Sequence, residues 1–194
     1  MTTPDNLIRQ RTAEYFVELV NFCADLGGKF IIVGSPKQRS LSAGEDPQRA
    51  CEHATGVLRE SIRRAEDNGI IICFEPLAPS ETNFINTHTQ AIELTRSVAS
   101  PAFKIILDVK AMCSMGKPIP QIIQESRGEF SYFHANDLNL KGPGFGDIDF
   151  APISEALRAA DYNGYVSVEV FKFDEGAEAI ATRSREYLRE KFGE

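Results

Sequence analysis

Apolar positions along the chain alternate between two periods. Residues 5–26 carry Phe16, Leu19, Val20, Cys23 and Leu26 at helical spacing, with Asp5 placed to cap the start and Gly27-Gly28 to stop the helix. Phe30–Val33 is then an unbroken apolar run, the mark of a strand covered on both faces. A second helix opens at Asp46-Pro47, turns Ala50, Ala54, Val57, Leu58, Ile62 and Ala65 to one side, and ends at Asn68-Gly69. The cycle repeats. Strand Ile70–Phe74 leads through a polar loop, 76–86, to a helix over 89–98 that Pro101 terminates. Strand Phe103–Leu107 is followed by a loop holding Lys110, Met112, Met115 and Gly116, then by a short helix over Ile119–Glu125. Strand Phe130–Phe133, a glycine-rich loop and a helix over Phe150–Ala160 come next. Strand Tyr165–Val168 follows, and a helix over Glu175–Phe192 turns Ile180, Ser184, Tyr187 and Leu188 to one side. Five strands alternating with helices predict a parallel sheet.

Four of these strands run into metal-capable side chains: Glu75, Asp108, His134 and Glu169. They follow one another at intervals of roughly 30 residues, the length of one strand–helix–strand unit. In parallel neighbours such residues share one rim, where α/β enzymes carry their chemistry. Three carboxylates and one imidazole make an oxygen-rich set that suits Mn²⁺ or Mg²⁺ and tolerates Co²⁺ or Zn²⁺. A barrel collects these ends around one axis, and Gly34-Ser35-Pro36-Lys37 is not the phosphate turn of a doubly wound sheet. A full (β/α)8 barrel takes about 250 residues and eight strands, so five strands predict part of one.

With 194 residues, 42% hydrophobic and 25% charged, the chain is read as a single domain over 1–194. The 28 acidic and 21 basic residues leave −7 and no dense basic stripe, which argues against nucleic acid as a partner. No run approaches the roughly 20 apolar residues of a membrane span. Cys23, Cys51, Cys73 and Cys113 form no CxxC pair and read as reduced thiols of a cytoplasmic protein.

The helix ending Leu26-Gly27 before FIIVGSP, then ICFEPL, IILDVKAM, FHANDLNLKGPGFGDIDF and NGYVSVEVF, resemble the xylose isomerase-like TIM-barrel superfamily. This is the sugar phosphate isomerase/epimerase group that also takes in the AP endonuclease family 2 (endonuclease IV) type. The resemblance spans nearly the whole chain and rests most on the ordered set Glu, Asp, His, Glu. It implies that the five strands correspond to barrel strands 4–8, with the N-terminal strands missing. Two positions differ from the family pattern: Ala111 stands where many members have a histidine three residues after the aspartate, and Leu140 where epimerases tend to place an arginine.

The resemblance implies a divalent-metal-dependent sugar or sugar-phosphate isomerase or epimerase acting on a ketose or hydroxy-ketone. Glu75, Asp108, His134 and Glu169 would hold the metal. Glu75 and Glu169 would remove and return a proton through an enediolate. A dehydratase of the inosose type begins with the same proton abstraction, and an endonuclease IV-like phosphodiesterase shares the fold. The latter calls for more histidines than the three present. A truncated metal-binding protein of low activity is the non-enzymatic alternative, with its sheet left open or completed in a homodimer.

Substrate-binding candidates are Lys37 and Arg39 after the first strand, Lys110 after Asp108, Asn136 beyond His134, and Lys141 in the glycine-rich loop. Each has a plainer reading. Lysines and arginines are commonly solvated, and Asn136 with Asp137 either caps the loop or else orients His134 or holds a water. Asn83 and Asn86 read equally as sugar ligands or turn residues, Asp147 and Asp149 as N-caps, and His53 and His88 as structural.

Overall fold

The computed structural model describes residues 1–193. Its elements follow the order α1 (Asn6–Asp25), β1 (Phe30–Val33), a 3₁₀ turn (Pro36–Gln38), α2 (Pro47–Asp67), β2 (Ile71–Phe74), α3 (His88–Val98) and β3 (Phe103–Asp108). These are followed by α4 (Val109–Met112), α5 (Ile119–Glu125), β4 (Phe130–Ala135), α6 (Ala151–Ala159), β5 (Val166–Val168) and α7 (Ala177–Phe192). The strands form one sheet in chain order, β1-β2-β3-β4-β5, with β1 and β5 outermost. The chain divides into two compact units, the first Met1–Ile106 and the second from Leu107 onward, so the division falls inside β3.

In the first unit β1 pairs parallel with β2, Phe30 opposite Ile71 and Val33 opposite Phe74, and β2 pairs parallel with β3, Ile72 opposite Phe103. Ile72, Cys73, Phe74, Phe103, Ile105 and Ile106 are all buried, as the apolar character of β2 and β3 requires, with Lys104 alone partly exposed among residues 72–74 and 103–106. The predicted inward face of α2 is buried in full, and Ser61 joins it by donating its hydroxyl to the Leu58 carbonyl at 2.8 Å. Burying each leucine or isoleucine of that face contributes about 1.5–3 kcal/mol. Helix starts use the expected chemistry. Asp5 accepts from the Leu7 and Ile8 amides and Asp46 from Gln48, while Thr87 and Gln90 form a reciprocal capping box on α3. The α1 stripe departs from expectation, because Val20 alone is buried and Leu26 is 70% exposed. Apolar residues lie on more than one side of α1, so periodicity alone marks its helical character without selecting the covered face.

In the second unit β4 pairs parallel with β5, Phe133 opposite Val166 and His134 opposite Ser167. Val109–Met112 is a helical turn rather than loop, because the Asp108 carboxylate accepts from the Ala111 amide at 2.7 Å and caps it. Helix α7 buries Ile180, Ser184 and Leu188, whereas Tyr187 stays partly exposed and clamps the preceding loop. Its hydroxyl donates to the Ile148 carbonyl at 3.1 Å and accepts from the Phe150 amide at 3.4 Å.

Candidate active site

Strand termination places each of the four predicted residues. Glu75 follows β2 and its amide donates to the Val33 carbonyl at 3.1 Å, continuing the ladder by one residue. Asp108 ends β3, His134 is the penultimate residue of β4, and Glu169 follows β5, its amide on the Ala135 carbonyl at 3.1 Å. One ligand atom from each of Glu75, Asp108, His134 and Glu169 lies within 4.8 Å of the others. Glu75 and Asp108 are buried; His134 and Glu169 are partly exposed.

Gly34 makes room for Glu75. A side-chain carbon at position 34 would fall inside the contact shell of a Glu75 carboxylate oxygen. The glycine after β1 therefore serves close approach, a duty that sequence spacing does not reveal.

Asn136 is the hub of the second unit's share of the site. Its amide nitrogen donates to Asp108 Oδ2 and, at 3.3 Å, to Glu169 Oε2. Its carbonyl oxygen accepts from the Lys110 backbone amide at 2.8 Å. The reading in which Asn136 orients His134 is not what its bonds show: its partners are the two carboxylates and the Lys110 amide, not the imidazole. His134 Nδ1 lies 3.4 Å from Glu169 Oε2 and 4.0 Å from Asp108 Oδ2, yet it is buried and makes no hydrogen bond.

Burial pushes the Asp108 carboxyl up to about 6, against the pull of the Ala111 and Asn136 hydrogen bonds. Burial acts upward most strongly on Glu169, but the adjoining His134 ring, the Asp108 carboxyl and the Lys110 charge together outweigh it and hold that carboxyl below its ordinary value. A buried imidazole nitrogen that makes no hydrogen bond, facing three carboxyl side chains, is a donor set that a divalent cation satisfies.

The remaining candidates divide. Lys110 sits beside the site with its ammonium 4.2 Å from the Phe171 ring centroid. Lys141 is ion-paired with Glu175 and lies 3.9 Å from Asp174. Lys37 is exposed in the 3₁₀ turn. Arg39 is wholly buried with its guanidinium 4.6 Å over the Phe74 ring. Burial draws Arg39 down to about 10 while the Glu75 and Glu81 charges oppose the shift.

Asn83 and Asn86 do turn duty. Asn83 exchanges hydrogen bonds with the Leu41 backbone, and Asn86 donates to the Leu77 and Thr82 carbonyls. Asp137 organises its loop by accepting from the Ile148 amide at 2.9 Å and the Asn139 amide at 3.3 Å, and Gly146 packs against it. Asp149 accepts from the Ala151 amide at 3.0 Å, but the N-cap of α6 is Phe150, so the capping position expected of Asp149 falls one residue later. His53 contacts the Thr2 carbonyl at 3.0 Å, and His88 is buried in the first turn of α3.

The sequence pattern of the xylose isomerase-like TIM barrel matches residues 1–191, and the chain belongs to that family. Over 177 residues it is 26% identical to a D-psicose 3-epimerase of Ruminiclostridium cellulolyticum, covering 88% of this chain and 59% of that protein. The chain thus spans about three fifths of the length of that relative. A D-psicose 3-epimerase solved in the presence of D-fructose superposes with a TM-score of 0.87 at 20% identity, over 100% of this chain and 74% of the other. The IolI protein with a bound zinc atom gives a TM-score of 0.79 at 21% identity, over 98% of this chain and 72% of the other. The fold is therefore that of part of a TIM barrel, with five strands where the whole barrel has eight.

Proposed function

We propose that the chain is the metal-binding part of a sugar isomerase or epimerase that acts on a ketose or hydroxy-ketone by proton transfer next to the carbonyl. The observation that carries this reading is the convergence of Glu75, Asp108, His134 and Glu169. Its similarity to a D-psicose 3-epimerase supports stereochemical inversion beside a ketone as the reaction. We assign all four as ligands of one divalent cation, with Mn²⁺ or Mg²⁺ favoured by the three carboxylates. When bound, the cation polarises the substrate carbonyl and makes the neighbouring C–H more acidic.

The protein groups do the rest. Glu75 and Glu169 are the paired carboxylates, one to accept the α-proton and the other to return it from the opposite side. Asn136 keeps Asp108 and Glu169 in register while Glu169 gains or loses a proton. Burial of Glu75 and Asp108 strengthens electrostatics at the reacting atoms by excluding water. The domain reading remains one barrel-type domain over 1–194, and the outer strands β1 and β5 are proposed to pair in a homodimer, checked by light scattering.

The test is metal analysis of the purified chain followed by incorporation of solvent deuterium at the α-carbon of a panel of ketoses. Incorporation is expected in the wild type and lost in Glu169→Gln. Exchange that persists in Glu169→Gln removes that residue from proton transfer. Loss of water from the substrate, seen in the products, would move the reaction to the dehydratase class.

A further inference from the structure

We propose that Arg39 is a specificity residue whose guanidinium donates to hydroxyl or carbonyl oxygens of an uncharged polyhydroxy-ketone, an assignment that rests on the sugar-binding reading above. Arg39 is fully buried, and none of its three guanidinium nitrogens makes a hydrogen bond. Its five N–H donors call for acceptors, and a charged group is the costliest kind to enclose without them. The Phe74 ring lies 4.6 Å from the guanidinium, but a ring face attracts the charge without accepting hydrogen bonds as an oxygen does. The acceptors that complete Arg39 therefore come from outside the chain, as water or as a ligand.

Neighbouring residues favour the ligand. Phe74 closes β2 and Glu75 follows it, so the guanidinium lies against the strand end that carries a proposed metal ligand. The charges of Glu75 and Glu81 both act on Arg39. With no bonds of its own, the side chain is positioned through the backbone that carries it. Ser40 Oγ meets Thr82 Oγ1 at 3.1 Å, the Leu41 amide donates to Asn83 at 2.7 Å, and the Leu41 carbonyl accepts from Asn83 at 3.1 Å. These three bonds clasp the segment after β1 to the loop after Glu75 and set Arg39 in place before a substrate arrives. Ser40 and Asn83 are exposed, which makes the clasp the part that opens to admit it.

Charge balance decides which kind of oxygen fits. Two carboxylates act on one guanidinium, so the local balance is already negative. Counting a divalent cation together with Asp108 and Glu169 leaves that balance unchanged. A phosphate or carboxylate would add to it, whereas a hydroxyl or carbonyl oxygen accepts hydrogen bonds without bringing charge. A hydrogen bond from a charged donor is expected to be worth about tenfold or more in affinity. Stability argues the same way. An unpartnered buried charge is often replaced by an apolar side chain with no loss, so an arginine kept here serves binding rather than folding.

Calorimetric titration tests this without requiring turnover. D-fructose, D-tagatose, L-sorbose and fructose 6-phosphate are titrated into the magnesium-loaded wild type, Arg39→Met and Arg39→Lys, and each protein is melted in parallel. The wild type is expected to bind at least one neutral ketose, and to bind fructose 6-phosphate no more tightly than fructose. Arg39→Met is expected to melt at or above the wild-type temperature while its ketose affinity falls about tenfold or more. Arg39→Lys keeps the charge but loses the planar fork, and its affinity is expected to lie between the two. Undiminished ketose affinity in Arg39→Met overturns the assignment and leaves enclosed water as the partner of Arg39. Absence of neutral ketose binding by the wild type overturns it too, and tenfold tighter binding of fructose 6-phosphate overturns the uncharged class. Should Arg39→Met melt lower or not fold, nitrogen-15 arginine spectra of the wild type decide. The Arg39 Nε–H resonance, identified by its loss in Arg39→Lys, is expected to shift when ketose binds, and a resonance that stays in place overturns the assignment. Failure of the parent reading looks different: no ketose exchanges its α-proton, yet ketose binding still depends on Arg39.

Discussion

Gly34 and Cys73 show how much one position can decide without taking part in chemistry. In Gly34→Ala the new methyl meets the far end of the Glu75 side chain, not rigid backbone, so the fold yields by swinging the carboxylate aside. Stability is expected to change little, while divalent-metal affinity falls about 10- to 100-fold, the range seen when support of a ligand is lost. Calorimetry against Mn²⁺ with a parallel thermal melt measures both, and unchanged affinity would mean that Glu75 is not a ligand. Cys73, on β2, is fully buried, and burial pushes its thiol up to about 12. The unfolded thiol ionises near its ordinary value of about 8.5–9 and the folded one does not. This group's contribution to stability is therefore complete below about pH 8.5 and is lost as pH climbs toward 12. Urea unfolding at pH 8 and pH 10 is expected to show wild type losing on the order of 1 kcal/mol more than Cys73→Ala over that interval. Equal losses would place the Cys73 thiol in water.

At the scale of elements, legibility followed how local each cause is. Helix α2 was readable to the residue because its buried face, its Asp46-Pro47 start and its Asn68-Gly69 end all act within a turn or two of chain. The apolar strand β2 was equally plain, since burial on both faces leaves no polar position to confuse the period, and β3 departs from this only at Lys104 and at its terminal Asp108. Helix α4 was not, because its start depends on Asp108 folding back onto the Ala111 amide, and its four residues are too few to show a period. The loop after β4 was read as glycine-rich but not as built. Asp137, Gly146 and the Tyr187 hydroxyl meet across sequence separations that no local pattern encodes. The braced Lys110–Phe171 pair escaped for the same reason.

For the whole molecule, the strand-end rule was enough to anticipate that four distant side chains meet. Side chains at the C-terminal ends of parallel neighbours converge wherever they lie in sequence, so Glu75, Asp108, His134 and Glu169 were legible long before their contacts were. What that rule cannot supply is how the cluster bears its own charge. Asp108, pushed up to about 6 by burial, resists being held ionised without a counter-charge. A cation that binds the folded chain and not the unfolded one relieves this and raises the melting temperature by mass action. At a free concentration about 100 times the dissociation constant the gain is about 2.7 kcal/mol. For a chain of 194 residues that corresponds to an upward shift of roughly 5–10 °C. Melting the chelator-treated protein with increasing Mn²⁺, Mg²⁺, Co²⁺ or Zn²⁺ is expected to show this shift for at least one ion. The shift should disappear in His134→Ala, which removes the one nitrogen donor while leaving all three carboxylates in place. A shift of the same size in His134→Ala would mean that the ion is held by carboxylates alone, and no shift with any of the four would leave the cluster as a charge network rather than a metal centre.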